Sequence, residues 1–346
     1  IVVRGSIDLN QEKTAADYAA GTGYDFDQYQ QAYLAKDGRK IALQEDARTT
    51  AAAIQAEQCI IPVGSNKSIV GEGDSSIIRG GSLILRGSNV IIRNLTFEDS
   101  LDFFPRWDSA DAGGNWNAAY DAITLSGARN VWVDHCTFID RISDTSDGAL
   151  LKNANGKISL LYRHDGLIDI VNGSDFVTVS YNLFVNHERT ILIGARNNNE
   201  IDTNKLRVTL HHNHFLNCRS RSPFVRYGKV HIYNNWYEGR MDQAFGTRFA
   251  ARIFSEGNYF DVTAPVSRLA GYSPEPVPGM LFDRYSLYKP IASSVIPINL
   301  ALEADLPLGS SAGWNPNSVY LYQLDITEQV PEIVGKFAGS GRPARN

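Results

Sequence analysis

Two short runs carry residue types from which an ion-and-anion site can be built. RHDGLIDIVN (163–172) sets Asp165 and Asp169 on either side of Gly166, and RSPFVR (221–226) sets Arg221 and Arg226 around Pro223. Carboxylates are hard oxygen donors and guanidinium groups are fixed planar cations. Brought together, they would hold a divalent cation and an acidic substrate at one place. Arg189, in NHERTILIG (186–194), offers a third cation.

An internal repeat could bring these segments together. NVIIRNLTF (89–97), NVWVDHCTF (130–138), DFVTVSYNLF (175–184), RVTLHHNHF (207–215), KVHIYNNWY (229–237) and RIFSEGNYF (252–260) align on their closing aromatic. Seven positions before it stand Val90, Val131, Val177, Val208, Val230 and Ile253. Five before it stand Ile92, Val133, Val179, Leu210, Ile232 and Ser255. A spacing of two places both on one face of a strand. Two before the aromatic, the last four copies read Asn182, Asn213, Asn235 and Asn258, a fixed phase that a β-sandwich would not need. Stacked copies would form aliphatic ladders topped by an asparagine ladder. The aromatics are separated by 41, 46, 31, 22 and 23 residues, so the last gaps suit bare solenoid coils and the longer ones imply loops inserted on one side.

The expectation is an all-β parallel β-helix forming one domain over 1–346. Its coils span about 1–260, and an irregular, Pro-rich tail (261–346) wraps or caps the stack. Ile1 already reads as strand, so an N-terminal cap is expected to lie outside the sequence.

Counting along this repeat, Asp121 lies ten before Val131 and Leu167 ten before Val177, which would make them cross-strand neighbours with Asp165 and Asp169 flanking Leu167. On a straight strand those two aspartates would stand about 13 Å apart, so the chain must bend between them, and Gly166 permits it. Three such carboxylates suit Ca²⁺ before Mg²⁺. The plainer alternative is that they serve turns or surface ion pairs. For Arg189, Arg221 and Arg226 it is pairing with those aspartates, or stacking on aromatics such as Trp236 and Tyr227. His211, His212, His214 and His231 are read as structural.

The 33 basic and 38 acidic residues give 33 − 38 = −5, which disfavours a general nucleic-acid binder. No run of 18 apolar residues marks a transmembrane helix. The first residue is not Met, so the lack of a leader says nothing of compartment. Cys59, Cys136 and Cys218 are expected as buried thiols or at most one disulfide, with Cys136 packing at the asparagine phase. No GxSxG, HExxH, P-loop or Rossmann fingerprint occurs, and GEGDSSIIRGG (71–81) reads as a strand turn.

The chain resembles the family 1 polysaccharide lyases, the pectate and pectin lyases. The matching stretches are SNKSIVGEG (65–73), FPRWDSADAGGNWNAAYDAI (104–123), VWVDHCTF (131–138), HDGLIDI (164–170), DFVTVSYNLFVNHERTILIG (175–194), LRVTLHHNHF (206–215), RSPFVRYGKVHIYNNWYEG (221–239), WNP (314–316) and GKFAGSGR (335–342). The resemblance implies a right-handed parallel β-helix and β-elimination of α-1,4-linked polygalacturonate. It also implies Asp121, Asp165 and Asp169 as Ca²⁺ ligands, Arg221 as base for the C5 proton, and Arg189 and Arg226 as substrate-binding cations. Asp134 and His135 match a block read as mainly structural.

Two departures stand out: Arg189 replaces the lysine usual in the family's pectate lyases, and Phe224 fills a position that is often basic. The expected protein is a secreted, extracellular or periplasmic Ca²⁺-dependent pectate lyase of endo type, monomeric and without nucleic-acid or membrane partners. The alternatives are a pectin lyase acting on methyl-esterified substrate and a non-catalytic carbohydrate-binding solenoid.

Overall fold

A computed structural model of the chain describes residues 1–272, 275–290, 294–305 and 311–345. Among these, the strands form three long sheets of nine, ten and eight strands, and successive strands of one coil go to successive sheets. Apart from one antiparallel strand at an end of the ten-stranded sheet, neighbours within these sheets are parallel. This is a parallel β-helix, wound in the right-handed sense of nearly all parallel crossovers.

The repeat read from the sequence is the register of the nine-stranded sheet. Val90 pairs with Val131, Val131 with Val177, Val177 with Val208, Val208 with Val230, and Val230 with Ile253. The closing aromatics Phe97, Phe138, Phe184, Phe215, Tyr237 and Phe260 stack in order, with centroids 4.6–5.0 Å apart. The asparagine ladder also forms. Asn182, Asn213 and Asn235 each donate a side-chain N–H to the next amide oxygen at 3.0 Å. Those oxygens also accept backbone N–H groups at the turn, so each buried amide is satisfied along the stack. Cys136 occupies this phase one rung earlier and its N–H donates to Asn182 Oδ1 at 2.8 Å. All three cysteines are buried free thiols, as one of the two expectations held.

The stack runs one rung further than the sequence suggested. Met280–Arg284 and Ser286–Tyr288 continue two of the sheets. That rung lacks the repeat's signature because Ser286 stands level with Asn258, and the buried Asp283 accepts from Ser255 and Ser286 instead.

Three helices between the first strands, Ala15–Ala19, Phe26–Leu34 and Gly38–Cys59, were not foreseen. Thr14, Asp25 and Asp37 cap their N-termini. The longest buries Gln44, Ala47, Ala51, Gln55 and Cys59, a helical stripe too polar and small to show as hydrophobic periodicity. These helices brace the inserted loops. Gln55 donates to Leu101 O, Arg48 to Phe104 O and Gln30 to Gly148 O, while Tyr29, Phe26 and Tyr33 surround the fully buried Trp116.

Past Tyr288 the chain turns back along the turns between the nine- and ten-stranded sheets. Thr327 Oγ1 donates to Tyr285 O, Asp325 N to Asn234 Oδ1, Gly339 N to Tyr181 O, Ser340 N to Thr137 Oγ1 and Gly341 N to Asn94 Oδ1. The helix Val330–Phe337 buries Val330 and Val334 against Tyr259 and Leu287.

Candidate functional site

Four neighbouring strands of the eight-stranded sheet carry or adjoin the predicted residues: Ile123–Ser126, Ile168–Val171, Ile191–Ile193 and Phe224–Val225. Ile123, Ile168 and Ile191 point into the core, which turns Thr124, Asp169, Leu192 and Phe224 outward in one row. Asp121 precedes the first of these strands, Asp165 the second, Arg189 the third and Arg221 the fourth.

The register corrects one expectation. Ile123 pairs with Ile168, so Asp121 faces Gly166 and not Leu167, and Gly166 N donates to Asp121 Oδ1 at 3.0 Å. The count failed because the turn from Val171 to Asp175 is one residue longer than that from Ser126 to Arg129. Leu167 is core. Gly166 also serves differently than expected. Its φ lies outside the left-handed region, and what matters is its missing side chain: a Cβ would lie 2.8 Å from Asp121 Oδ1 and 3.2 Å from Asp169 Oδ1. Two carboxylates thus converge over a bare backbone.

Electrostatically, Asp121 and Asp169 have no ion pair among the described residues. Burial, followed by the charge of Asp165, pushes Asp121 up to about 7, although Thr124 and Gly166 donate to it. Burial with Asp121 and Asp165 raises Asp169 well above the carboxylate range, and no hydrogen bond reaches its carboxylate among the described residues. Burial also raises Asp165, against the pull of Arg189 and Arg221. Hard oxygen donors, mutual repulsion and a cradle that a Cβ would fill fit a divalent oxygen-seeking cation such as Ca²⁺. The three do not close into a tight set, however. Among the described residues, the group of three ligand atoms lying within 4.8 Å of one another is Asp99, Asp140 and His164, which the sequence reading did not single out.

The arginines differ from one another. Arg189 is engaged, chiefly by an aspartate the sequence reading did not name: Nη2 donates to Asp111 Oδ2 at 2.6 Å, the foreseen contact with Asp165 is a longer 3.8 Å, and the guanidinium sits over Tyr162. Arg226 donates to Asn197 Oδ1 and to the carbonyls of Gly194 and Ala195. The Arg221 guanidinium makes no hydrogen bond or ion pair among the described residues. Burial, then the charge of Arg189, draws its pKa below the usual value. Arg221, Arg226 and Arg248 all lie against the Phe224 ring, 5.6, 4.7 and 5.2 Å from its centroid. Phe224 therefore removes a charge yet gathers three.

The four histidines read as structural are so placed. His212 meets Asp325, His214 meets Glu238 and stacks on Trp236, His231 meets Glu256, and His211 Nδ1 meets His212 Nδ1. Asp134 binds Arg93, His135 and Ser180.

Three residues beyond the sequence prediction belong to the neighbourhood: Asp111, which orients Arg189, and Asp99 and Asp140. Each of the last two follows its closing aromatic by two positions, a phase that the alignment already contained.

The pectate lyase family profile matches residues 37–341. A pectate lyase of Bacillus subtilis (strain 168) is 33% identical over 364 aligned residues, covering 99% of this chain and 81% of that protein. Pectate lyase D of Dickeya chrysanthemi is 39% identical, covering 82% of this chain and 71% of its own. The solved structure of a pectate lyase bound to hexasaccharide superposes with a TM-score of 0.86 at 31% identity, covering 99% of this chain and 86% of that one.

Proposed function

This chain belongs to the pectate lyase family and is a polysaccharide lyase, and from that premise we propose that it is a secreted, Ca²⁺-dependent, endo-acting, monomeric enzyme that cleaves polygalacturonate by β-elimination. The observation that carries the reading is a convergence on neighbouring rungs: the carboxylates of Asp121 and Asp169, with no ion pair of their own among the described residues, and Asp165 shared with Arg189, beside the Arg221 guanidinium, which has no hydrogen bond or ion pair among the described residues. Among the described residues, no helix is long and apolar enough to cross a membrane.

Asp121, Asp165 and Asp169 would hold the Ca²⁺, which when bound supplies positive charge to a uronate carboxylate and so acidifies its C5–H. Arg221 in its neutral form accepts the C5 proton. The C5–H electron pair becomes the C4–C5 double bond, the C4–O bond breaks, and the departing oxygen takes a proton from water. Burial and the neighbouring Arg189 support this assignment, because both disfavour the charged guanidinium. Arg226, fixed by backbone carbonyls, presents its remaining N–H donors to substrate carboxylates, and Arg189 does so from its seat on Asp111.

The test is the absorbance of unsaturated product on polygalacturonate and on methyl-esterified pectin, each with Ca²⁺ and with chelator. Cleavage of polygalacturonate that disappears with chelator is expected. Chelator-insensitive cleavage of pectin would mark a pectin lyase, and no cleavage of either would mark a binding protein.

A further inference from the structure

At the far end of the ten-stranded sheet's rungs, a second group of ligands converges that the lyase chemistry does not use. Asp99 and Asp140 follow the paired strands Thr96–Glu98 and Thr137–Ile139 on adjacent rungs. The loop inserted after the second strand carries His164 back over them. Its Nε2 lies 3.3 Å from Asp99 Oδ1 and 3.7 Å from Asp140 Oδ1. The residue is 4% exposed, and Nε2 is buried without a hydrogen-bond partner. The ring nitrogen lies within ion-pairing distance of both carboxylates, which favour its proton, yet it makes a well-formed hydrogen bond to neither; a metal ion displacing that proton would complete the arrangement.

We propose that Asp99, Asp140 and His164 form a binding site for a first-row divalent cation of the Zn²⁺ class, separate from the Asp121, Asp165 and Asp169 set. Ligand atoms at bond lengths of about 2.0–2.2 Å around a tetrahedral ion stand about 3.3–3.6 Å apart. The 3.3 Å separation falls on that edge, and the 3.7 Å one lies just beyond it. An imidazole nitrogen among the donors selects against Ca²⁺ and Mg²⁺, which take oxygen.

The supporting shell is also present. His164 Nδ1 lies 3.4 Å from Asp144 Oδ1, the carboxylate–histidine arrangement that leaves Nε2 as the donor atom. Asp144 is in turn held by Arg163 N at 2.7 Å. Asp99 Oδ1 is oriented by the backbone N–H groups of Arg141 and Ile142, and Asp140 Oδ2 by His187. A cavity of about 770 Å³, lined in part by Asp140, Asp144 and His164, opens beside them and gives the ion an entry path and room for a water ligand.

The site stands independently of the lyase reading, so its test does not use turnover as the deciding signal. The protein is saturated with Ca²⁺, given Zn²⁺, dialysed against Ca²⁺ buffer and analysed for retained zinc. Crystals soaked in zinc chloride are measured at the zinc edge. One retained equivalent is expected, with an anomalous peak bonded to His164 Nε2. Asp144→Asn should weaken binding roughly 10–100-fold, and His164→Gln should abolish it while melting and Ca²⁺-supported cleavage persist. Should His164→Gln fail to fold, the peak in the unaltered protein decides. No retained zinc, equal retention by a folded His164→Gln, or a peak confined to other residues would each overturn the site.

Discussion

Two buried polar rows run along this solenoid, and they contrast in how their groups are satisfied. At the turn between the nine- and ten-stranded sheets, Asn182, Asn213, Asn235 and Asn258 are wholly buried, and every amide donates and accepts along the stack. On the eight-stranded sheet, Asp121 and Asp169 converge with their charges uncancelled, and Arg221 has no partner among the described residues. The same rung spacing aligns both rows. Identical amides gain from stacking, whereas like charges lose from it. The proposed cation is what would compensate the second row.

The contrast can be broken by experiment. If Arg221 serves chemistry alone, Arg221→Ala should lower turnover on polygalacturonate by ~10³-fold or more and leave the melting curve in place. A variant keeping a tenth of the activity, or melting well below the parent, would merge the two rows. The next effect is a pH slope. Without Ca²⁺, the folded chain keeps the Asp121 proton up to about pH 7, whereas the unfolded chain releases it near 3.8. The folded state binds more protons in that window, so this contribution to stability is present below it and lost as pH rises through it. Denaturant midpoints in chelator should therefore fall from pH 4 to 7, and either Ca²⁺ or Asp121→Asn should flatten that fall.

On the ladder, Asn213→Ala should cost about 1–3 kcal/mol by leaving amide partners unpaired. It should leave activity per folded molecule unchanged, as guanidinium titration beside the lyase assay would reveal. Smallest is Phe224→Leu. Removing the ring from Arg221, Arg226 and Arg248 forfeits about 0.5–1 kcal/mol of cation–π attraction each, and kcat/KM should fall roughly 2–5-fold.

What the sequence made legible follows the same division. The aliphatic, aromatic and asparagine ladders were readable because each inward position repeats its own residue type at one phase. The carboxylates could be nominated but not registered, since one extra residue between Val171 and Asp175 moves Asp121 from Leu167 to Gly166. The long helix was hidden by a contact face of Gln44, Ala47, Ala51, Gln55 and Cys59 that works through amide bonds and close approach. The last rung was hidden because Ser286 stands at the asparagine phase and Asp283 at an aliphatic one.

A spiral built only of neighbouring turns would come apart like a coil spring, loosening from whichever tip is tugged. The returning segment from Asp325 to Gly341 behaves instead like stitching down the length of the spring, fastened at Asn234, Tyr181, Thr137 and Asn94. Loosening one tip then drags on coils far away, so local fraying is converted into a single concerted failure, and the carboxylate and arginine cluster on the eight-stranded sheet keeps its shape until the whole gives way.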